Sequence, residues 1–438
     1  MSSPAGQGER IGYIDFLKGL SCILMLIAHA MRVKLGSPDF ITRLFSAMLN
    51  PAAQMFFFAS GMNIILLQER YRGRRRVKLT LYYLSAAAVL FFLGYTYSFA
   101  RLALGSWQIF QGIAATTALT FVLVRTRLSA TAHILLAILF YLVYLQFRLS
   151  LEPVLLWYRS VLPPGPPAIH PDLLDAIRMT TNISYWQRCL FTNFSLLPWV
   201  SYVLLGATAF RNLREKPEME RRWALGFGAV FILGFLMLVI PHGIEMGYWY
   251  ADHSVDALYR HVPHHVLTAV GACGLIWLAC RRWYLGSAGP RKSPKRFMLG
   301  YTEFLGVASF LFFIFHWFVL MSIQRGWDWL VAQGLVPLEM NLHLRWIVAC
   351  LLVLPLMYPA AWLGKIWSRR PGFVKQAVAL MIISILLAMG MLYRRNVQAA
   401  MFVAFGSCFG YAYLYPVLRA RLKHHFVDRY LVSKPKAA

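Results

Sequence analysis

Apolar residues in this chain are gathered into long runs that short polar connections separate. A helix of about 20 residues spans the hydrocarbon core of a bilayer, and a helix satisfies its backbone hydrogen bonds internally where no water is present. The pattern therefore predicts an all-α, polytopic membrane helical bundle of about twelve transmembrane helices. The predicted spans, in chain order, are residues 13–32, 44–67, 79–99, 107–124, 130–147, 193–210, 223–240, 263–280, 303–323, 345–363, 375–393 and 397–418.

The composition supports a membrane protein. Hydrophobic residues make up 59% of the chain and charged residues 14%, whereas about a quarter of the residues of a soluble protein are charged. This balance excludes a soluble globular domain, a disordered chain and a secreted disulfide scaffold. The formal charge of +27 would suit a nucleic-acid-binding protein, but such a protein would not also carry these apolar runs. We therefore expect no nucleic-acid partner.

The arginines and lysines indicate how the bundle is oriented, because the cytoplasmic loops of membrane proteins are enriched in both. We predict that the N- and C-termini are cytoplasmic. Removing one span from this arrangement would scatter the basic clusters over both sides. With twelve spans, every large basic cluster lies on the inner side: 70–78, 211–222, 281–296, 365–375 and 419–436.

Two large connections are predicted on the outer side, at residues 148–192 and 241–262. The first contains the proline-rich stretch 163–167, so we predict no long continuous helix there. The second is rich in histidines, acids and aromatic residues. Loops of this size often carry recognition, and a structural lid is the alternative.

Ionisable side chains inside a span are costly and are therefore candidates for function. The first span contains Asp15, Lys18 and His29. Lys18 and His29 are eleven positions apart, so they face the same side of a helix and lie about 16 Å apart along its axis. Asp15 precedes Lys18 by three positions, a spacing at which the two side chains can pair.

This stripe would place a cation near the inner face and an imidazole near the outer face. The cation can hold a phosphate-bearing molecule that enters from the cytoplasm, and a histidine, whose pKa lies near neutrality, suits a general base. The alternative is structural: Lys18 snorkels to the interface, and His29 forms a hydrogen bond with a neighbouring helix.

The first span also resembles the opening helix of the transmembrane acyltransferase superfamily, which includes the acyltransferase-3 family and the heparan-α-glucosaminide N-acetyltransferase-like family. The signature of that helix is an (I/L)D pair followed by an arginine, ten further residues and a histidine. This chain has Ile14-Asp15, then Lys18 and, after ten residues, His29. Lysine in place of arginine keeps the charge but loses the planar fork of donors.

Later segments resemble the same superfamily in their order. The second span resembles its phenylalanine-rich segment ending in Ser-Gly, and the basic run 72–78 follows as in the family. Because the resemblance covers roughly residues 10–363, we predict a ten-helix acyltransferase domain over 1–363 and an additional helix pair with a basic cytoplasmic tail over 364–438. Three further segments resemble family helices: WQIFQGIA at 107–114, LLPWVSYVLLGA at 196–207 and LGVASFLFFIFHW at 305–317.

The resemblance implies an acyltransferase that moves an acyl group, most often acetyl, from cytoplasmic acyl-CoA to a glycan or glycolipid acceptor on the outer side of a bacterial cytoplasmic (inner) membrane. His29 and Asp15 would be catalytic, with His29 either deprotonating the acceptor or passing the acyl group on covalently. Acyl-CoA would be a substrate rather than a bound cofactor, no metal is implied, and the bilayer and the acceptor would be the other partners. Donor contacts would come from Lys18 and from a basic cluster that is also typical of an ordinary cytoplasmic loop, namely Arg72, Arg74, Arg75 and Arg76.

Six further residues are candidates for cavity or acceptor contacts. Each has a structural alternative, because polar side chains in spans also bond neighbouring helices. A metal site at the histidines of the second large loop is not expected, since Pro263 interrupts the regular structure that would fix its ligands. The six residues are Gln108, Gln111, His253, Asp256, His261 and His316.

A secondary transporter of a small solute or glycolipid is the alternative function. Twelve spans with both ends inside is a common layout for carriers, but carriers are typically built from internal repeats. The Asp15–Lys18–His29 stripe of the first half has no counterpart in the second half. A lipid scramblase or assembly partner would leave that stripe unexplained.

Overall fold

A computed structural model describes residues 11–32, 51–71, 76–100, 109–126, 128–161, 196–239, 263–285, 294–337, 342–393 and 397–427. Within these ranges all regular structure is helical and strands are absent, which confirms the predicted fold class. The helices are α1 Gly12–Arg32, α2 Pro51–Arg70, α3 Arg76–Ala100, α4 Ile109–Leu123, α5 Ala130–Val161, α6 Leu196–Glu215, α7 Glu220–Val239, α8 Pro263–Leu285, α9 Pro294–Val307, α10 Ser309–Ala332, α11 Leu342–Ser368, α12 Phe373–Tyr393 and α13 Val397–Phe426, with a 3₁₀ turn at Pro217–Met219.

The predicted spans all overlap helices. Seven of the helices in the described ranges are long and apolar enough to cross a membrane. The full count of twelve spans and the cytoplasmic position of both termini stay predictions.

Two details of the prediction are wrong. Residues 148–161 were expected in a loop, but they continue α5 to Val161. Half of this segment consists of the good helix formers Arg, Leu and Glu, and the proline-rich stretch begins only at residue 163. The single span predicted over 303–323 is interrupted at Ala308, whose φ of −89° and ψ of 10° separate α9 from α10.

The chain forms two compact units. The first comprises residues 1–72 and 205–363, and the second comprises residues 73–204 and 364–438. The first unit therefore holds α1, α2 and α7 to α10, and the second holds α3 to α5 with α12 and α13. Helices α6 and α11 contribute residues to both units.

In the first unit, two glycines set the contact between α1 and α9. A Cβ added at Gly19 would overlap the carbonyl oxygen of Thr302, and one added at Gly306 would overlap the carbonyl oxygen of Asp15. Small residues of this kind let the backbones of membrane helices approach closely. Because Gly19 meets Thr302 while Asp15 meets Gly306, the two helices run in opposite directions.

The second unit is packed through aromatic side chains. Phe110 of α4 lies edge-on to Tyr97 of α3 and to Tyr411 of α13, with ring centroids 5.2 and 5.7 Å apart. Apolar side chains also cover outer surfaces of this unit, where Leu139 of α5 and Leu386 of α12 are 53% and 61% exposed. Such apolar surfaces are what a helix presents to lipid rather than to water.

Candidate functional site

The N-terminal end of the predicted stripe is an ion pair within α1. Lys18 Nζ lies 2.7 Å from Asp15 Oδ1, and the two side chains are 13% and 8% exposed. The pairing expected from their spacing is therefore present. A carboxylate as buried as Asp15 needs a compensating charge, which Lys18 supplies. The same contact holds the Lys18 ammonium in place next to the packed interior.

The other end of the stripe is a hydrogen bond between two histidines on different helices. His29 Nδ1 of α1 lies 3.0 Å from His316 Nε2 of α10. The two rings are parallel to within 5° and their centroids are 5.2 Å apart. Since the nitrogens are much closer than the centroids, the rings meet through their edges. His316 is completely buried, whereas His29 is half-buried.

Aromatic rings enclose this histidine pair. The ring of Phe312 lies nearly parallel to that of His316, with centroids 5.1 Å apart, and Phe313 contacts His316 edge-on at 6.0 Å. Trp317 lies against His29, with centroids 4.7 Å apart. The surroundings are apolar, so electrostatic interactions of the imidazoles are stronger there than they would be in water.

The interruption at Ala308 is what brings the histidines together. Helix α9 runs antiparallel to α1. A straight helix that continued past Gly306 would therefore extend beyond the N-terminal end of α1. His316 and Trp317 of α10 nevertheless contact His29, in the C-terminal half of α1. The chain must therefore change direction between Gly306 and His316, the interval in which Ala308 interrupts the helix. This change of direction is consistent with the contact between His316 and His29.

The face of α1 between the two ends is packed. Cys22 and Met25 lie on the same stripe between Lys18 and His29 and are 0% and 4% exposed. A long molecule that reaches from Lys18 to His29 would therefore displace part of this packing.

Basic residues of the first unit are engaged in ion pairs. Arg282 Nε lies 2.6 Å from Glu220 Oε1, and Arg281 also pairs with Glu220. Arg214 Nε lies 3.3 Å from Glu69 Oε2. Burial raises the pKa of the Glu220 carboxyl, but its bonds to Arg282 and Arg281 outweigh that effect, so the pKa lies below its ordinary value. These arginines tie helices together.

Of the other predicted site residues, few are described by the structure. Gln111 is completely buried in the second unit, packed against Gly94 of α3. Arg76 is the first residue of α3. Seven predicted residues lie outside the described ranges, namely Arg72, Arg74, Arg75, Gln108, His253, Asp256 and His261.

Phe312 and Trp317 belong to the site but were not singled out from the sequence. Each contacts a histidine through its ring, and Phe312 also accepts a hydrogen bond from His316. The only signal in the sequence was their spacing from His316, four positions before and one after, within a helix in which aromatic residues are common.

Comparison with known proteins gives one match. The family model described as heparan-alpha-glucosaminide N-acetyltransferase, catalytic, matches residues 10–240, more than half of the chain. No curated protein and no solved structure matches the chain. The matched segment includes Asp15, Lys18 and His29 but ends before His316. The chain belongs to the heparan-alpha-glucosaminide N-acetyltransferase catalytic family and is a transmembrane acetyltransferase in its general class.

Proposed function

We propose that the protein transfers an acetyl group from cytoplasmic acetyl-CoA to a glycan or glycolipid acceptor on the outer side of a bacterial cytoplasmic membrane, with His29 as the catalytic residue. The observation that carries this proposal is the position of His29. Its imidazole is half-buried among aromatic rings and hydrogen-bonded to a second imidazole. It also shares a helix stripe with Lys18, which is held by Asp15.

His29 has the chemistry that acyl transfer needs. The acceptor hydroxyl or amine must lose a proton as it attacks the thioester carbonyl, and an imidazole can accept that proton near neutral pH. An apolar enclosure also keeps water, a competing acceptor, away from the acyl group. The aromatic rings of Phe312, Phe313 and Trp317 supply that enclosure.

Lys18 serves the donor in this proposal. Its ammonium is a point charge that can contact a phosphate or a carbonyl of the donor within the membrane. Asp15 keeps the ammonium at a fixed place on α1, 2.7 Å away, so Asp15 acts through Lys18. The family signature has arginine at this position, and lysine supplies the charge without the bidentate geometry.

The basic run from Arg72 to Arg76 is the proposed site for the phosphates of the donor. Arg214, Arg281 and Arg282 of the first unit are engaged by Glu69 and Glu220, which leaves them poorly suited to that role. A strongly basic inner face also raises the local concentration of an anionic donor.

Mass analysis of envelope glycans tests the proposed function. Cells that carry the active protein should show glycans with an added acetyl mass, and cells without the protein should lack that mass. Identical glycans in both strains would contradict the proposal. If the strains instead differed in uptake of a small solute, the secondary transporter would become the better account.

A further inference from the structure

Two hydrogen bonds of His316 define the state of the histidine pair. His316 Nδ1 lies 2.8 Å from the carbonyl oxygen of Phe312, and His316 Nε2 lies 3.0 Å from His29 Nδ1. A carbonyl oxygen accepts hydrogen bonds and cannot donate them. The proton in the first bond must therefore sit on His316 Nδ1.

The proton in the second bond, between His316 Nε2 and His29 Nδ1, then lies on His29. A neutral imidazole carries one N–H, so His316 with its proton on Nδ1 presents Nε2 as an acceptor. His316 is completely buried among apolar rings, and an imidazolium there would be a costly buried charge. His29 must then donate from its own Nδ1. In neutral His29 the basic lone pair is consequently on Nε2.

We propose that His316 is a positioning residue, which fixes the tautomer and ring orientation of His29 so that Nε2 of His29 accepts the proton of the acceptor substrate. This inference rests on the proposed function. It assigns a role to a residue 287 positions from His29 and outside the segment that matches the family. The Phe312 carbonyl, a fixed group of the α10 backbone, accepts the His316 Nδ1 proton and so determines the tautomers of both histidines.

Acyl transfer in this arrangement moves one proton through His29. The acceptor O–H or N–H gives its proton to His29 Nε2 while its heteroatom bonds to the thioester carbonyl carbon. The bond from that carbon to sulfur then breaks, and the proton passes from His29 to the CoA thiolate, which leaves as the thiol. While His29 is an imidazolium, its Nδ1–H bond to the neutral Nε2 of His316 becomes charge-assisted and therefore stronger.

The arrangement uses a neutral imidazole where serine hydrolases use a carboxylate to orient the catalytic histidine. In an apolar enclosure a neutral partner avoids burying a second charge. Trp317, 4.7 Å from the His29 ring, limits rotation of that ring, so the tautomer and the orientation are set together.

Two variants of His316 separate positioning from packing. His316→Gln keeps an acceptor toward His29 and a donor toward Phe312, whereas His316→Phe keeps an aromatic ring but has neither. We expect the kcat of His316→Gln to stay within a few-fold of that of the unmodified protein. For His316→Phe we expect kcat to fall by at least about tenfold with KM unchanged, because a group that orients a histidine is lost. Equal activity of His316→Phe and the unmodified protein would overturn the inference.

The tautomer itself is measured by nitrogen NMR of histidine-labelled protein in bilayers, with the His29 signals assigned by their loss in His29→Gln. The unmodified protein and His316→Gln should carry the His29 proton on Nδ1. A proton on Nε2 of neutral His29 in the unmodified protein would overturn the inference even if His316→Phe fails to fold. Full activity of His29→Ala would instead overturn the proposed function itself, so the two failures are distinguishable.

Discussion

The two ends of α1 hold their polar side chains in different ways. At the N-terminal end Asp15 and Lys18 pair across one helical turn at 2.7 Å, so the pair needs only the helix that carries both residues. At the other end His29 depends on His316, a residue of another helix. That contact requires the bend at Ala308 and the close crossing of α1 and α9. The cation is thus positioned by local sequence and the imidazole by tertiary packing.

The difference indicates which changes should damage which step. A perturbation of helix packing should disturb His29 while leaving the Asp15–Lys18 pair in place. A change in the ion pair should alter the donor site and leave the histidine pair intact. The first three of the following experiments distinguish the two ends, and the fourth changes an ion pair that lies away from both.

The largest effect is expected from removing the imidazole of His29. His29→Ala should lower kcat for transfer from labelled acetyl-CoA by about 100- to 10,000-fold, the range expected when a general base is lost. His133→Ala is the matched control, because His133 is also a buried histidine but bonds the Leu123 carbonyl in the second unit. Comparable loss in both variants would show that the effect comes from packing.

The next effect is expected at the crossing of α1 and α9. Gly306→Leu would force the backbones apart at the carbonyl of Asp15, which should cost about 1–3 kcal/mol of stability and separate His29 from His316. Thermal unfolding and kcat measure the two consequences. Gly300→Leu is the control on the same helix, since a Cβ there meets nothing within 4 Å. Similar behaviour of both variants would refute the proposed crossing.

A smaller effect, confined to the donor, is expected from Lys18. Lys18→Arg keeps the charge and should bind the donor with KM changed by less than about tenfold, or 1.4 kcal/mol. The double variant Asp15→Asn with Lys18→Met removes both charges without leaving a buried carboxylate unpaired. We expect it to raise the KM for acetyl-CoA well above that of Lys18→Arg, with little change in kcat. A loss confined to kcat would place Lys18 in the chemical step.

The smallest effect is expected from Glu220, which lies away from both ends of α1. The pKa of the Glu220 carboxyl is lowered in the folded protein. The ionised carboxylate therefore stabilises the fold at any pH above the pKa of the unfolded chain, about 4.3. This stabilisation is lost as the pH falls through the pKa of the folded protein. Because the pair is partly exposed, the contribution is at most about 1 kcal/mol. The unfolding temperatures of the unmodified protein and Glu220→Gln should therefore differ at pH 7 and converge on acidification, with acetyl transfer at pH 7 unaffected. A constant difference at every pH would exclude the ion pair as its cause.

Features that depend on local sequence were predicted well. The apolar runs predicted where the helices lie, because burial in lipid requires long apolar segments. The Asp15–Lys18 pair follows from helix periodicity alone. The extent of α5 was underestimated because the proline-rich stretch 163–167 was taken as evidence against a helix over the whole connection, although it begins only after α5 ends at Val161.

Features that depend on how the helices pack were not predictable. The residues around Ala308 signal a bend only weakly, since alanine is the best helix former and no proline is nearby, although Gly306 and Ser309 are residue types found at helix kinks. Without that bend the contact between His29 and His316 does not follow, even though both residues were candidates. Gly306 shows the same limit, because it must be small only where it packs against the carbonyl of Asp15, a residue far from it in the sequence.

The proposed function depends on His29, which we propose carries acetyl transfer across the membrane. Its most direct test uses sealed membrane vesicles supplied with labelled acetyl-CoA on the cytoplasmic face, with label on glycan or glycolipid at the opposite face as the readout. The account predicts labelled acceptor with the unmodified protein and with His133→Ala, and background label with His29→Ala when that variant is folded and inserted. Undiminished labelling by His29→Ala would contradict it.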